Sequence, residues 1–289
     1  MQPQSLRVEA ADGCRLHLLE WSREGVPLLL IHGFGNEAHV WDEFAPEVAP
    51  YYRTLALDLR GHGDSQWHPQ GRYELDDFVA DLERVTAALA LSRLVLVAHS
   101  LGGRVATLFA GRHPERLAGL VLVDIGPEVD ARGALRIRQD VEANPDPSFA
   151  SVEDCARELC LAHPAARPEA LLRMARHGLR RRDDGRHVLK MDPALRRFGR
   201  LGETPDEAAR REEALGRALW DALRRVSCPT LVVRGAASDL LSAEVAERMV
   251  DEALPHGRLA VVARAGHPVM TDNPEGFRDA VAGFVLTGA

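Results

Sequence analysis

The stretch RLVLVAHSLGGRVATLFA (residues 93–110) decides the reading of this chain. Its first part, RLVLV, is a short apolar run of strand length, and its last part, LGGRVATLFA, has helical spacing of apolar residues. Between them lie Ala98-His99-Ser100-Leu101-Gly102-Gly103. A serine on so sharp a strand-to-helix turn needs small residues two positions to either side, and Ala98 and Gly102 are small. Such a turn lifts the Ser100 hydroxyl above the carboxyl edge of a sheet and aims a helix N-terminus, with its unpaired N–H groups, at whatever binds there. The plain alternative is a turn with a capping serine.

Working outward, PLLLIHG (27–33), RTLALDL (53–59), LAGLVLVD (117–124), TLVVRG (230–235) and RLAVVARAG (258–266) read as further strands. Their near-continuous apolar character suits strands covered on both faces. VWDEFAPEVA, YELDDFVADLERVTAALA, SAEVAERMVDEAL and NPEGFRDAVAGFVL have apolar residues three and four apart and read as helices. Alternation of strand and helix implies a doubly wound, mostly parallel sheet of eight strands. Residues 6–11 and 14–21, split by Asp12-Gly13, read as an antiparallel hairpin at its edge. The alternation lapses over 127–226, which reads as a mainly helical cap with one hairpin turning at Asp183-Asp184-Gly185. Residues 1–126 and 227–289 then form the core domain.

The chain has 289 residues, 46% hydrophobic and 27% charged, which is the balance of a globular protein rather than a disordered one. A net charge of −7 argues against a nucleic-acid partner. No apolar run reaches membrane-spanning length, and the N-terminal residues lack the pattern of a signal peptide. Cys14, Cys155, Cys160 and Cys228 are scattered, so reduced thiols in a cytoplasmic protein are expected, with no metal site and no cofactor. Lys190 is the only lysine beside many arginines, a bias that suggests a GC-rich bacterial genome. The expected partner is a small-molecule substrate, with no nucleic acid and no membrane, bound by a monomer or homodimer.

Three more segments carry chemistry. His32-Gly33-Phe34-Gly35 follows a strand, and its relaxed loop offers the Phe34 N–H to a developing oxyanion, beside the N–H of Leu101. His267, after RLAVVARAG, stands where a base could reach the same edge, and a serine hydroxyl needs such a base. An acid to orient the imidazole is expected at Asp239, in the loop after TLVVRG; its rival is Asp124, at the end of LVLVD. His32 and His99 are expected to brace backbone, and His113, His163, His177, His187 and His256 to be solvated.

The order Ser100, Asp239, His267, with HGFG upstream and an insertion before the acid, resembles the α/β-hydrolase fold. Asp58-Leu59-Arg60-Gly61-His62-Gly63-Asp64-Ser65 strengthens the likeness, since it matches a turn typical of the branch that holds serine esterases, C–C bond hydrolases and cofactor-free haloperoxidases. Within that turn Arg60 and Asp64 read as an internal ion pair. Ala98 stands where the family most often has glycine, and Asp239 lies four residues after Gly235 where three is usual. Ser100 stands where epoxide hydrolases and haloalkane dehalogenases carry aspartate, which argues against both. The resemblance implies an esterase with a Ser100–His267–Asp239 triad and an oxyanion hole at Phe34 and Leu101. The alternatives are a C–C hydrolase of vinylogous diketones, a perhydrolase or acyltransferase with the same triad, and a hydrolase-like ligand receptor. Phe34, Trp41 and Leu101 border the key loops and are expected in the pocket wall. Residues 167–200 hold eleven Arg or Lys against four Asp or Glu, so an anionic substrate group is one reading of the cap, and a solvated surface the other.

Overall fold

A computed structural model describes residues 2–144, 147–197 and 203–288. Eight strands form one sheet: β1 (Gln4–Glu9), β2 (Arg15–Glu20), β3 (Val26–Ile31), β4 (Tyr52–Leu57), β5 (Leu94–His99), β6 (Leu117–Val123), β10 (Thr230–Gly235) and β11 (Gly257–Val262). Their order is β1-β2-β4-β3-β5-β6-β10-β11. Only the β1/β2 and β2/β4 pairs are antiparallel; every other neighbour is parallel. The edge hairpin therefore lies where the Asp12-Gly13 turn implied.

Side chains of the central strands alternate between two cores. Leu29, Ile31, Leu57 and Leu96 pack on one face beneath α2 (Leu75–Ala88) and α3 (Leu101–Arg112). Leu28, Leu30 and Val97 pack on the other, with Phe44, Phe277 and Val281. Burial on both faces explains why these strands read as unbroken apolar runs rather than alternating ones. The segment VWDEFAPEVA is not one helix. It contributes to a 3-10 turn at Ala38–Trp41 and to a four-residue helix α1 (Ala45–Val48), with Pro46 placed at the start of the latter, where its missing N–H costs nothing.

The segment between β6 and β10 holds α4 (Ala131–Ala143), α5 (Val152–Ala162), α6 (Pro168–Gly178) and α7 (Pro205–Arg225). It also forms a three-stranded sheet from β7 (Ser148–Phe149), β8 (Leu179–Arg181) and β9 (His187–Leu189). The β8–β9 hairpin turns at Asp183-Asp184-Gly185, where Gly185 has φ +84° and Gly185 N–H donates to the Arg182 carbonyl at 3.0 Å. The last helix is shared with the core: Trp220 and Leu223 of α7 join the cluster under α3, and Ala222 closes against Gly111. After β10 come α8 (Ala243–Arg248), α9 (Val269–Asp272) and α10 (Pro274–Gly288).

The DLRGHGDS turn is structural, but its ion pair differs from the expected one. Buried Arg60 pairs with Asp81 at 2.5 Å and Asp12 at 3.0 Å, whereas Asp64 pairs with Lys190 at 2.8 Å. The reason is geometric: Gly61 and Gly63 sit at positive φ and turn the chain so that Arg60 points into the interior toward α2. Asp58, also buried, receives N–H groups from Ala38 at 2.6 Å and Asp64 at 2.9 Å and the His17 ring at 2.8 Å, so it ties this turn to the loop that follows β3.

His32 and His62 are fully buried close by, their rings 5.1 Å apart. Burial holds both imidazoles below their ordinary range, His62 down to about 3. They stay neutral in the fold while the unfolded chain takes up protons below about pH 6.5, so stability is present above that pH and falls as the pH drops toward about 3. We expect His62 to add up to about 1.4 kcal/mol of destabilisation per pH unit below about 6.5, with His32 acting in the same direction. Urea unfolding between neutral pH and pH ~5.5 reads this before most carboxylates titrate. His62→Gln should flatten the slope, and a wild-type midpoint that does not move would contradict the assignment.

Candidate active site

The parallel register sets the site. His99 of β5 lies opposite Val123 of β6, so Ser100 and Asp124 leave the sheet side by side. Both then adopt left-handed backbone, with φ +51° at each. A non-glycine residue there stores about 1–3 kcal/mol of strain, which is held by close packing. A Cβ at Gly102 would meet the His32 carbonyl at 2.5 Å, and one at Gly103 would meet Ile125 at 2.3 Å. The two glycines after the serine are what let α3 start so near β3 and the strand-6 loop.

The Ser100 hydroxyl donates to His267 Nε2 at 3.0 Å, and His267 Nδ1 donates to Asp124 Oδ2 at 2.9 Å. Asp124 is fully buried, and its other bonds come from the end of β10, Gly235 N–H at 2.9 Å, and from the loop after it, Ser238 Oγ at 2.5 Å. A carboxylate so held is fixed in direction, and it selects the imidazole tautomer whose Nε2 can accept the serine proton.

The expected acid, Asp239, is not the residue at His267. Its carboxylate forms a two-point pair with Arg136 of α4, at 2.7 and 3.1 Å, and that pairing holds it below the usual carboxylate range. The correction has a simple cause. Asp124 follows its strand directly, whereas Asp239 lies four residues beyond the end of β10, and Gly235 at that end and Ser238 in between are spent on Asp124. The sequence offered half of the signal, an aspartate immediately after LVLV; its register with the serine on the neighbouring strand comes from the fold. Ser238 and Arg136 were not singled out; neither a loop serine nor a helical arginine has a sequence signature for such a place.

Among the described residues, a cavity of about 560 Å³ opens over Ser100 and His267. Phe34 lines it, as expected, but the other two proposed wall residues do not. Trp41 is fully buried in the core against Phe277, because the 3-10 turn that carries it rotates its ring inward. Leu101 packs instead against the core cluster beneath α2 and α3. Phe34 and Leu101 nonetheless flank the serine: a Cβ on Gly33 would stand 2.9 Å from Ser100 Cβ, and Leu101 is the first residue of α3, where helical N–H groups have no intrahelical acceptor.

The remaining wall comes largely from the insertion, with Ile137, Leu159, Met174 and Leu179 making it apolar. Its polar groups are few. Burial raises the Glu37 carboxyl well above its ordinary range, and burial likewise raises Asp272, whose Oδ2 accepts from Gly266 N–H at 2.8 Å. His163, expected in solvent, lines the cavity and is held below its normal pKa by burial. His99 braces backbone as anticipated: its Nε2–H donates to the His267 carbonyl at 3.0 Å, and burial keeps the ring neutral.

The arginines of residues 167–197 turn away from the cavity. Arg167 and Arg173 share Glu43, Arg180 lies over the Trp67 ring, and Arg182 pairs with Asp184. Arg200 lies outside the described residues. Among the described residues the guanidinium that does border the cavity is that of Arg136.

Comparison with known proteins agrees with this architecture. The family model described as the alpha/beta hydrolase fold matches residues 26–153. The chain is 28% identical to the esterase Rv0045c of Mycobacterium tuberculosis over 97% of this chain and 89% of that protein. It is 27% identical to the 2-(acetamidomethylene)succinate hydrolase of Mesorhizobium japonicum over 90% of this chain and 88% of that one. Among solved structures, an alpha/beta hydrolase from Novosphingobium aromaticivorans superposes with a TM-score of 0.83 at 29% identity, covering 99% of this chain and 98% of its own. The chain has the α/β-hydrolase fold, and its likeness to esterases and other hydrolases over nearly its whole length supports a hydrolase activity.

Proposed function

We propose that the protein is a serine hydrolase that cleaves small to medium carboxylic esters through an acyl-enzyme on Ser100. The observation that carries this reading is the continuous hydrogen-bond chain from Ser100 Oγ through His267 to Asp124. In the first step His267 Nε2 takes the hydroxyl proton as Oγ bonds to the acyl carbon. The carbonyl electrons move to oxygen, which the N–H groups of Phe34 and Leu101 receive. Collapse expels the alcohol, protonated by His267. Water, deprotonated by the same nitrogen, then attacks the acyl-enzyme and releases the acid. Asp124 stabilises the imidazolium formed in each half. The apolar cavity, of a size usual for small-molecule sites, suits an acyl or alcohol group without charge. The insertion 127–226 acts as a cap over the core 1–126 and 227–289.

A second reading is favoured by Arg136. It borders the cavity, and the Mesorhizobium relative is named for a succinate derivative, a substrate class that carries carboxylates. In this version Arg136 exchanges part of its contact with Asp239 for a substrate carboxylate, and the scissile bond need not be an ester.

Ser100→Ala should lower ester turnover at least ~10⁴-fold with the circular dichroism spectrum unchanged. A fluorophosphonate should add to the wild type, with its mass shift lost in that variant. Full activity in Ser100→Ala would end the proposal. Asp124→Asn should reduce kcat by about 10³–10⁴, because the amide stabilises the wrong tautomer, while Asp239→Asn should stay within about tenfold of wild type. The reverse ranking would return the acid role to Asp239. Finally, if Arg136 takes a carboxylate, the hemisuccinate ester of p-nitrophenol should exceed the butyrate ester by about tenfold in kcat/KM, the worth of one charge-assisted contact, and Arg136→Met should erase the difference. Equal values for the two esters in wild type dispose of the second reading.

A further inference from the structure

Outside the catalytic chain, one cluster joins the insertion to the core. His39 and Asp42 lie in and beside the 3-10 turn that follows the Phe34 loop, and His177 lies in the last turn of α6. One donor atom from each of the three residues lies within 4.8 Å of the others, and all three residues are half-buried. His39 Nδ1 is 3.1 and 3.0 Å from the two Asp42 oxygens. The His39 and His177 rings are stacked with centroids 3.5 Å apart and 22° between planes. The ring nitrogens of His177 make no hydrogen bond among the described residues.

We propose that His39, Asp42 and His177 form a binding site for a divalent transition ion of the zinc class, one that staples α6 to the segment after the Phe34 loop. Two imidazole nitrogens and a carboxylate oxygen are a donor set that suits zinc, and three protein ligands leave a position for water. Bonds of about 2.0–2.1 Å to a tetrahedral ion separate its ligand atoms by about 3.3 Å. The His39 and Asp42 donor atoms already stand 3.0–3.1 Å apart, and the stacked His39 and His177 rings have to tilt so that a nitrogen of each converges on the ion. The nearby cations Lys190 and Arg173 are paired with Asp64 at 2.8 Å and Glu43 at 2.5 Å, which lowers the repulsion an incoming ion would meet. The other candidate cluster, His17 with Asp58 and Asp64, does not compare. There the His17 ring is spent on Ser5 at 2.7 Å and Asp58 at 2.8 Å, and Asp58 also holds two backbone N–H groups.

The ion would act on cap position rather than on the bond being cleaved. Met174, Ala175 and Gly178 of α6 line the cavity, so tying His177 to the core fixes one wall of it.

The test uses the full chain stripped with a chelator and titrated calorimetrically with zinc chloride, with cobalt(II) absorption as a second readout. Wild type should bind one ion per chain, gain thermal stability with zinc, and show the intense visible bands of tetrahedral cobalt. His177→Ala and His39→Ala should each lose at least about tenfold in affinity together with the thermal shift. The metal-free circular dichroism spectrum and melting temperature of His177→Ala should match those of metal-free wild type, which shows that it folds. No binding to wild type at submillimolar zinc would overturn the proposal. So would unchanged affinity in His177→Ala, or binding that survives there and vanishes in His267→Ala, since the last result would place the ion at the catalytic imidazole. The binding and thermal readouts do not depend on which ester, if any, the protein cleaves.

Discussion

The geometry of the site hangs on the buried carboxylate of Asp124. It lies one residue beyond β6, in register with Ser100 beyond β5, and it gathers three donors: Gly235 N–H, Ser238 Oγ and His267 Nδ1. Those donors come from the end of β10 and the loops after β10 and β11, so one side chain fixes three neighbouring loops against each other. A buried carboxylate left without partners would be costly, and this one has its full complement, which makes the arrangement both tolerable and stiff. The strain at Ser100 and Asp124 persists because the packing around them leaves no other path for the chain.

A second set of buried groups carries that stiffness to the opposite side of the serine. Asp58 binds the backbone of Ala38 and Asp64, and His32 accepts the Leu59 N–H at 3.0 Å while donating to the Gly33 carbonyl at 2.8 Å. The loop bearing Phe34 is thus held from beneath by neutral histidine and from the side by carboxylate. His99 adds a direct link between the serine turn and the His267 loop. Preorganised donors of this kind are what acyl-transfer chemistry needs, since they do not have to reorganise as charge develops.

The insertion contributes in a different way. It supplies most of the apolar wall, while its many arginines form a surface mesh with Glu43, Asp184 and other acids. The excess of arginine over acid in residues 167–197 therefore reports a surface turned away from the cavity. Among the described residues the guanidinium that borders the cavity belongs to Arg136, upstream of that window, and it is largely met by Asp239. Counting charges along the chain could not separate these, because helix orientation decides which side chain faces in.

The sequence by itself determined the strand-and-helix alternation, the edge hairpin, the serine turn and the histidine loop. Each of these rests on local requirements: apolar runs for strands buried on both faces, glycine where a Cβ would collide, small residues around a sharp turn. What only the tertiary structure decided was pairing at a distance. Asp124 rather than Asp239 meets His267, Arg60 meets Asp81 rather than Asp64, Trp41 turns into the core, and His177 stacks on His39. Those choices depend on strand register and on the direction in which each loop leaves the sheet, and neither is written in the spacing of residues along the chain.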